Sequence, residues 1–422
     1  MTIVDEPRSR SRAADVARGI FSSGPILLLA FLLAHLVVGL LGLGATGWPL
    51  SDVSSVYRAW SWNAVHLGHW PGINVDGVYP VLAILPMLAP MAVPFLNYTV
   101  AWLLWLTLAD VVALLWITRG GMDARRVRLG WFWVLFLLLL GPVALGRIDA
   151  VCVPLVLVAV DLRRTRPILA GVLLAIGGWI KIWPVAIFAA IFVTGRRRWR
   201  LLAGAAGLSL GVIGVGLLLG SPSYLFSFVT GQTGRRLQVE AVTATPWLWA
   251  ARGDPSVYIQ YNNRIYTNEI VGGGSSGVSA ALTPIQFLCF VAIAMLAFLA
   301  VRRGASRNAT LAHASLGLVL ALIVWNKVGS PQFETWLLVP ALIGLAVLGR
   351  GFLPQGIVVL VIAGLTQVIY PYLYTALLGL EPAMLLVITV RNVLLFGLLC
   401  WEAGELLRLG RADGRARVSL AA

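Results

Sequence analysis

Charge is scarce in this chain and lysine almost absent. Only 12% of its 422 residues are Asp, Glu, Lys or Arg, against about a quarter in soluble domains, which excludes an ordinary soluble fold. Two lysines, Lys181 and Lys327, stand among 32 basic residues. Cysteine is also rare. Cys152, Cys289 and Cys400 lie in or beside apolar runs, with neither a disulfide framework nor metal-ligand spacing, so they read as small core residues. No HExxH or P-loop signature occurs, which leaves a soluble nucleotide ligand unsupported. The period-two alternation of barrel strands is missing as well.

What is present is apolar length. Hydrophobic residues make up 59% of the chain, and apolar runs of roughly 17–25 residues recur, each long enough to cross a bilayer as a helix. The expectation is an all-α polytopic membrane protein, a multi-pass protein of the cell membrane surrounded by lipid. The net charge of +15 does not call for nucleic acid. Arginine clusters between apolar runs, at 119–128, 163–166, 196–200, 302–307, 350 and 408–417, mark the cytoplasmic side by the positive-inside rule. The first run, Pro25 to Ala45, is too long for a signal-peptide core and follows Arg8, Arg10, Arg12 and Arg18 in a cytoplasmic N-terminus, residues 1–23.

The opposite side then receives a first outer loop (46–77), the turns "GRID" (146–149) and "KIWP" (181–184), a large loop (221–282), "NKVGSPQ" (326–332) and "GLEP" (379–382), with a cytoplasmic tail over 403–422. Parity requires the proline-rich stretch 78–96 to be juxtamembrane or re-entrant, a backbone tolerated only against protein or a cavity. This gives about 12 crossings with both termini inside. The large loop is too short for an independent domain and reads as a cap over one membrane unit. No fixed-period repeat is seen.

One acid, Asp52, follows the first apolar run among Trp48, Tyr57, Trp60 and Trp62. It is either the N-cap of an interfacial helix or a general base at the membrane surface, placed to take a proton from an attacking hydroxyl. The aromatics suit a sugar ring and an interfacial belt equally. Both lysines sit at outer helix ends, each closely followed by proline. They snorkel to headgroups or place a point charge on a phosphate. Arg147 and Asp149 form a local ion pair or contact substrate. His66 and His69 lack further ligands and read as an interfacial pair. Asp110, inside an apolar run, reads as a structural hydrogen-bonding group.

Four segments resemble a known family. "GGWIKIWP" (177–184) resembles the small-residue helix ending in Lys-x-x-Pro of polyprenyl-phosphate-mannose-dependent mannosyltransferases, glycosyltransferase family 87 of the GT-C superfamily. "NKVGSPQFETWLLVPAL" (326–342) resembles the family's Lys-Val-x-Ser-Pro-Gln, "RRLQVEAV" (235–242) its Arg-x-Leu-Gln-x-Glu, and "SDVSSVYRAW" (51–60) its first-loop Asp followed by Tyr. The chain departs from the family pattern at Tyr79-Pro80-Val81, where Tyr-Pro-Pro is common, and at Gly146-Arg147-Ile148-Asp149, where Gly-Gln-x-Asn is common. Both departures bear on acceptor and linkage.

The resemblance implies a GT-C membrane fold and an inverting transfer on the extracytoplasmic side. Mannose would pass from a β-linked polyprenyl-phosphate-mannose donor to a mannosylated glycolipid or lipoglycan acceptor, giving an α-linked, α-1,2 product. It implies an actinobacterial host, in keeping with the arginine bias. Asp52 takes the role of catalytic base. Lys327, Lys181, Arg147 and Arg236 are candidate cations for the donor phosphate, and Tyr57, Gln332, Glu240 and Asp149 are further candidate substrate contacts. A phosphate leaves without a general acid, so no cofactor is expected. The first loop reads Ser-Asp-Val-Ser where many superfamily relatives carry Asp-x-Asp, so no metal is expected either. Two other readings stay open. One is transfer of arabinofuranose or another sugar from the same kind of donor. The other is a non-catalytic lipid flippase or transporter, which would line its midplane with polar residues, whereas here they gather at one face with Asp110 as the main exception.

Overall fold

The computed structural model describes residues 19–231, 234–263 and 265–419. Arg8, Arg10, Arg12 and Arg18 lie outside them. The described chain is helical apart from one antiparallel hairpin, β1 Tyr258–Asn262 with β2 Thr267–Val271. This is the all-α polytopic architecture the sequence calls for. Among the described residues, eight stretches are long and apolar enough to cross a membrane: Gly24–Gly44, Tyr98–Ile117, Ala124–Ala144, Arg198–Leu218, Ser275–Arg302, Arg307–Val324, Pro331–Tyr372 and Pro382–Arg411. The seventh breaks at Gly349–Phe352 into helices Leu338–Leu348 and Leu353–Gln367.

Four apolar pieces are shorter: Val81–Ala92, Pro167–Ile180 and Pro184–Thr194, with Cys152–Leu162 before the last two. The expected count of about 12 treats the last three as crossings, although each falls short of the ~20 residues a straight span needs. Proline sets the breaks. Pro167 and Pro184 occupy first-turn positions, where a missing N–H costs nothing. The Val81–Ala92 stretch is an α-helical turn between two 3₁₀ turns, at 12 residues too short to span by itself.

The core runs along the bundle axis. In Arg307–Val324, 78% of the apolar window is buried, because that helix is apolar on every side. Ser275–Arg302, Pro184–Thr194, Leu338–Leu348 and the last helix pack round it. Arg198–Leu218 is only 17% buried and turns Leu210 and Leu218 outward, as a lipid-facing helix does. It lies hard against Pro167–Ile180. A Cβ on Gly171 would meet Leu201 O at 2.0 Å, and one on Gly204 would meet Ile168 O at 2.0 Å, the close approach that small residues permit in membranes.

The large loop is a docked cap that ends earlier than residue 282. Leu237, Val239, Ala241, Ala244, Leu248 and Ile270 form an apolar cluster with Ile369, Leu385 and Ile388 of the bundle. The Gly-Ser stretch divides: Gly272, Gly273 and Gly274 take positive φ, and the next helix begins at Ser275. A Cβ on Gly272 would lie 1.8 Å from Ser256 O, so this turn has no room for a side chain. The tail expected from 403 is helical and continuous with the last span, which runs Pro382–Ser419.

Candidate active site

Asp52 opens a π-helical turn, Asp52–Tyr57, that passes into helix Arg58–Leu67, and no side chain caps either start. The N-cap reading of Asp52 is therefore set aside. Its Oδ2 lies 3.3 Å from Arg147 Nε, with the aspartate side chain 31% exposed and the arginine 8%. A π turn brings residues five apart onto one side, so Tyr57 lies under Asp52. Tyr57 is fully buried, and its hydroxyl accepts from Ile148 N at 3.1 Å. It works as a strut between the first loop and the "GRID" turn, not as an open substrate contact.

Arg147 is extended (φ −138, ψ 150) at a break between helices. It donates to Pro49 O, to Gly146 O at 2.9 Å and to Tyr370 Oη at 3.4 Å. Gly146 allows the approach, since a Cβ there would sit 2.7 Å from Pro49 O. Burial pulls the pKa of Arg147 down, but Asp52 and the surrounding tyrosines outweigh burial and leave it raised.

Arg147 and Asp149 do not form the local ion pair considered from the sequence; each finds its partner on another element. Asp149 is wholly buried. It accepts from Trp336 Nε1 at 2.6 Å, and its Oδ2 lies 3.3 Å from Lys181 Nζ. Substrate contact through Asp149 is closed off, and its place is behind Lys181. Lys181 is the extended C-cap residue of Pro167–Ile180, and Pro184 restarts the helix three residues later. Its ammonium rides 4.4 Å from the Tyr79 ring centroid. Burial lowers its pKa, yet Asp149 more than offsets this and the result is raised.

The other wall joins two segments far apart in sequence. Gln238 N donates to Lys327 O at 2.9 Å, and a Cβ on Gly329 would lie 2.0 Å from Ala241 N. Burial, and then Arg235, hold Lys327 below the usual lysine range, and burial holds Arg235 below its own range with Tyr79 and Glu269 only partly opposing. The candidate from sequence, Arg236, points away. It is exposed and donates to Gln260 Oε1 on β1 at 3.1 Å, because consecutive side chains of an extended segment face opposite ways.

Gln332 is half-buried at the start of the Pro331–Leu337 turn, and its side chain makes no hydrogen bond among the described residues. Glu240 is buried with Oε1 unbonded. Burial pushes its pKa up to about 7, against the pull of Arg391 and Arg147. Arg391 of the last helix donates to Glu240 O at 2.6 Å.

Sequence reasoning missed Tyr79, Tyr370, Arg235, Trp336 and Arg391. Tyr79 and Trp336 lay inside quoted segments and carried a usable signal, whereas Tyr370 and Arg391 carried none. Asp110 has a partner, His35, at 3.1 Å with both buried, and a second buried pair, His313 with Glu402 at 2.7 Å, also lies among the helices. Polar residues are thus less confined to one end than the sequence suggested. His66 stacks on Trp62 at 4.7 Å. Among the described residues no group of three His, Cys, Asp or Glu could hold a metal.

The result is one partly exposed carboxylate beside Arg147 and Lys181, with Lys327 and Arg235 on the facing wall. Such a site can accept a proton at Asp52 and hold an anion on its cations. Residues 78–331, more than half of the chain, match the model of Glycosyltransferase family 87. Arg147, Lys181, Arg235 and Lys327 fall inside the match, and Asp52 precedes it. No curated protein and no solved structure matches the chain.

Proposed function

The chain belongs to glycosyltransferase family 87, and from that premise we propose that it transfers mannose from polyprenyl-phosphate-mannose to a mannosylated glycolipid or lipoglycan at the outer face of the cell membrane. The observation that carries this reading is the Asp52–Arg147 pair at 3.3 Å beside the Lys181–Asp149 pair at 3.3 Å. A base and fixed cations meet at a loop cluster where a lipid-anchored phosphate would arrive. Asp52 takes the proton of the acceptor hydroxyl as its oxygen attacks the anomeric carbon. The bond from that carbon to the phosphate oxygen breaks, and its electron pair leaves with the phosphate. Attack from the face opposite the β-phosphate gives the α-mannoside. Charge growing on the phosphate is met by Arg147, Lys181 and Lys327. Counting the short helices as crossings gives an even number and so puts both termini on one side, which the arginine clusters make the cytoplasmic one by the positive-inside rule.

The test is a donor panel. Purified protein is given polyprenyl-phosphate-mannose, polyprenyl-phosphate-arabinofuranose or a nucleotide-linked mannose, with a mannosylated glycolipid acceptor. The reading expects product from the first alone, with an α anomeric configuration by NMR. Turnover with the arabinofuranose donor alone would replace mannose by that sugar, and retention of configuration would overturn the single-displacement chemistry.

A further inference from the structure

At the end of the bundle opposite Asp52, three loops converge on a pair of adjoining cavities of about 670 and 730 Å³. The two share Gly195, Arg196, Arg198 and Arg307. They lie beyond the far ends of helices Pro167–Ile180 and Pro184–Thr194, whose near ends carry Lys181. Fourteen helical residues put roughly 20 Å between the two ends.

The lining holds seven arginines and no acidic residue. The positive-inside rule accounts for arginines at this end, but not for their convergence from residues 163–164, 196–198 and 302–307 on one space. Like charges brought together cost free energy unless an anion joins them. Arg163 registers this: burial, then its neighbour Arg164, hold its pKa below the usual range, with Asp161 only partly opposing.

The site is braced. Arg307 donates to Thr194 O at 2.8 Å, Arg197 to Arg164 O at 3.0 Å, and Arg164 to Asn308 Oδ1. These bonds tie the three loops together and leave other guanidiniums for a ligand. Among the described residues the side chains of Arg196 and Arg198 make no hydrogen bond or ion pair; the Arg198 guanidinium lies over the Trp199 ring at 5.7 Å from its centroid, which leaves its N–H groups open. One cavity is walled by Val193, Phe298 and Val301, and the latter two belong to the lipid-facing helix Ser275–Arg302. A polar, arginine-lined recess thus opens beside an apolar wall.

We propose that this recess is a binding site for a phosphate ester, held by Arg163, Arg196, Arg198 and Arg307 and separate from the transferase site. Guanidinium forks suit phosphate oxygens, and the apolar wall suits a ligand that carries a hydrocarbon tail. The phosphate is the recognised group, whether borne by a lipid or free.

The test uses the full chain in nanodiscs of zwitterionic lipid, with binding followed by native mass spectrometry. The probes are dioctanoyl phosphatidic acid and inorganic phosphate. Saturable binding of phosphatidic acid is expected, with affinity at least tenfold lower in R196Q/R198Q and partly restored in R196K/R198K. Competition by inorganic phosphate would show that the headgroup suffices, and its failure to compete would show that the tail is needed; both support the site. Arg200→Gln, on the same loop but outside the lining, is the control. Equal binding by wild type and R196Q/R198Q would overturn the proposal. So would an equal loss in Arg200→Gln, which would make the effect one of general surface charge. The lysine variant guards against reading a folding defect as lost binding.

Discussion

Each cation at the transferase site is held differently, so each variant should fail differently. Lys181 is seated on a buried carboxylate. Asp149→Asn removes that counter-charge and leaves a buried ammonium, a change that costs about 3–5 kcal/mol where one partner of a buried pair is lost. Thermal stability and turnover should fall together, as a melting curve beside an assay will show. Burial, and then the nearby Arg235, hold Lys327 below the usual lysine range, a setting unlike the buried carboxylate seat that Lys181 has on Asp149. If it meets the donor phosphate, Lys327→Ala should cut transfer about 10- to 150-fold, the size of a lost charge-assisted hydrogen bond of roughly 1.5–3 kcal/mol. Lys327→Arg should recover part of this. Near-wild-type kinetics in Lys327→Ala, with donor concentration varied, would return it to headgroup snorkelling.

Glu240 gives a pH prediction. Its folded pKa, pushed up to about 7, lies above the unfolded value of about 4.3. The folded state therefore binds the proton more tightly, and the stability contributed by protonated Glu240 is lost as pH rises from about 4.3 towards 7. Glu240→Gln removes this dependence. Its melting temperature should gain on wild type between pH 5 and pH 8, and a constant difference across that range would contradict the assignment.

At the scale of elements, the site is made of interruptions. Asp52, Arg147, Lys181 and Lys327 each stand where a helix stops or has yet to start, and glycines let those breaks touch. Gly146→Ala puts a Cβ 2.7 Å from Pro49 O, and Gly329→Ala puts one 2.0 Å from Ala241 N. Both neighbours are backbone and neither can swing aside. Gly329→Ala, the tighter of the two, should lose more activity, with the cap loosened from the bundle and cut faster by protease within 234–274. Wild-type proteolysis in that variant would mean the cap is held elsewhere.

The helix-forming runs were legible because apolar length is a composition signal. The breaks were legible because prolines gather at them and the chain's two lysines stand there out of place. Pairing was not legible. Nothing in "GRID" says that Arg147 turns to Asp52 and Asp149 to Lys181, since that depends on which loops meet in space. The spacing of Arg-x-Leu-Gln-x-Glu falls on Arg235 with Arg236 at the variable position, so the choice of Arg236 ran against the motif itself, and the facing of the segment, fixed by the Gln238–Glu269 bridge, agrees with Arg235. His35, His313 and Glu402 went unread because a buried pair needs both helices to be placed first.

At the scale of the whole molecule, the chain presents two charged ends with an apolar bundle between them. In a cysteine-free background, Cys at His66 or Tyr266, both exposed, should react with an impermeant thiol reagent from outside intact cells, and Cys at Arg197 should not. Val257, in the same outer loop, is buried and would make a poor probe. Labelling at His66 only after the membrane is opened would place the transferase site on the other side.

The central claim is that Asp52 is the base and that Arg147 and Lys181 serve the anion beside it. Asp52→Asn keeps the size of the side chain and removes its basicity. Turnover per folded protein, measured with saturating acceptor and polyprenyl-phosphate-mannose, should fall about 10²–10⁴-fold while the melting temperature stays within a few degrees of wild type. Retention of more than about a tenth of wild-type turnover would fall outside any general-base role and contradict the account.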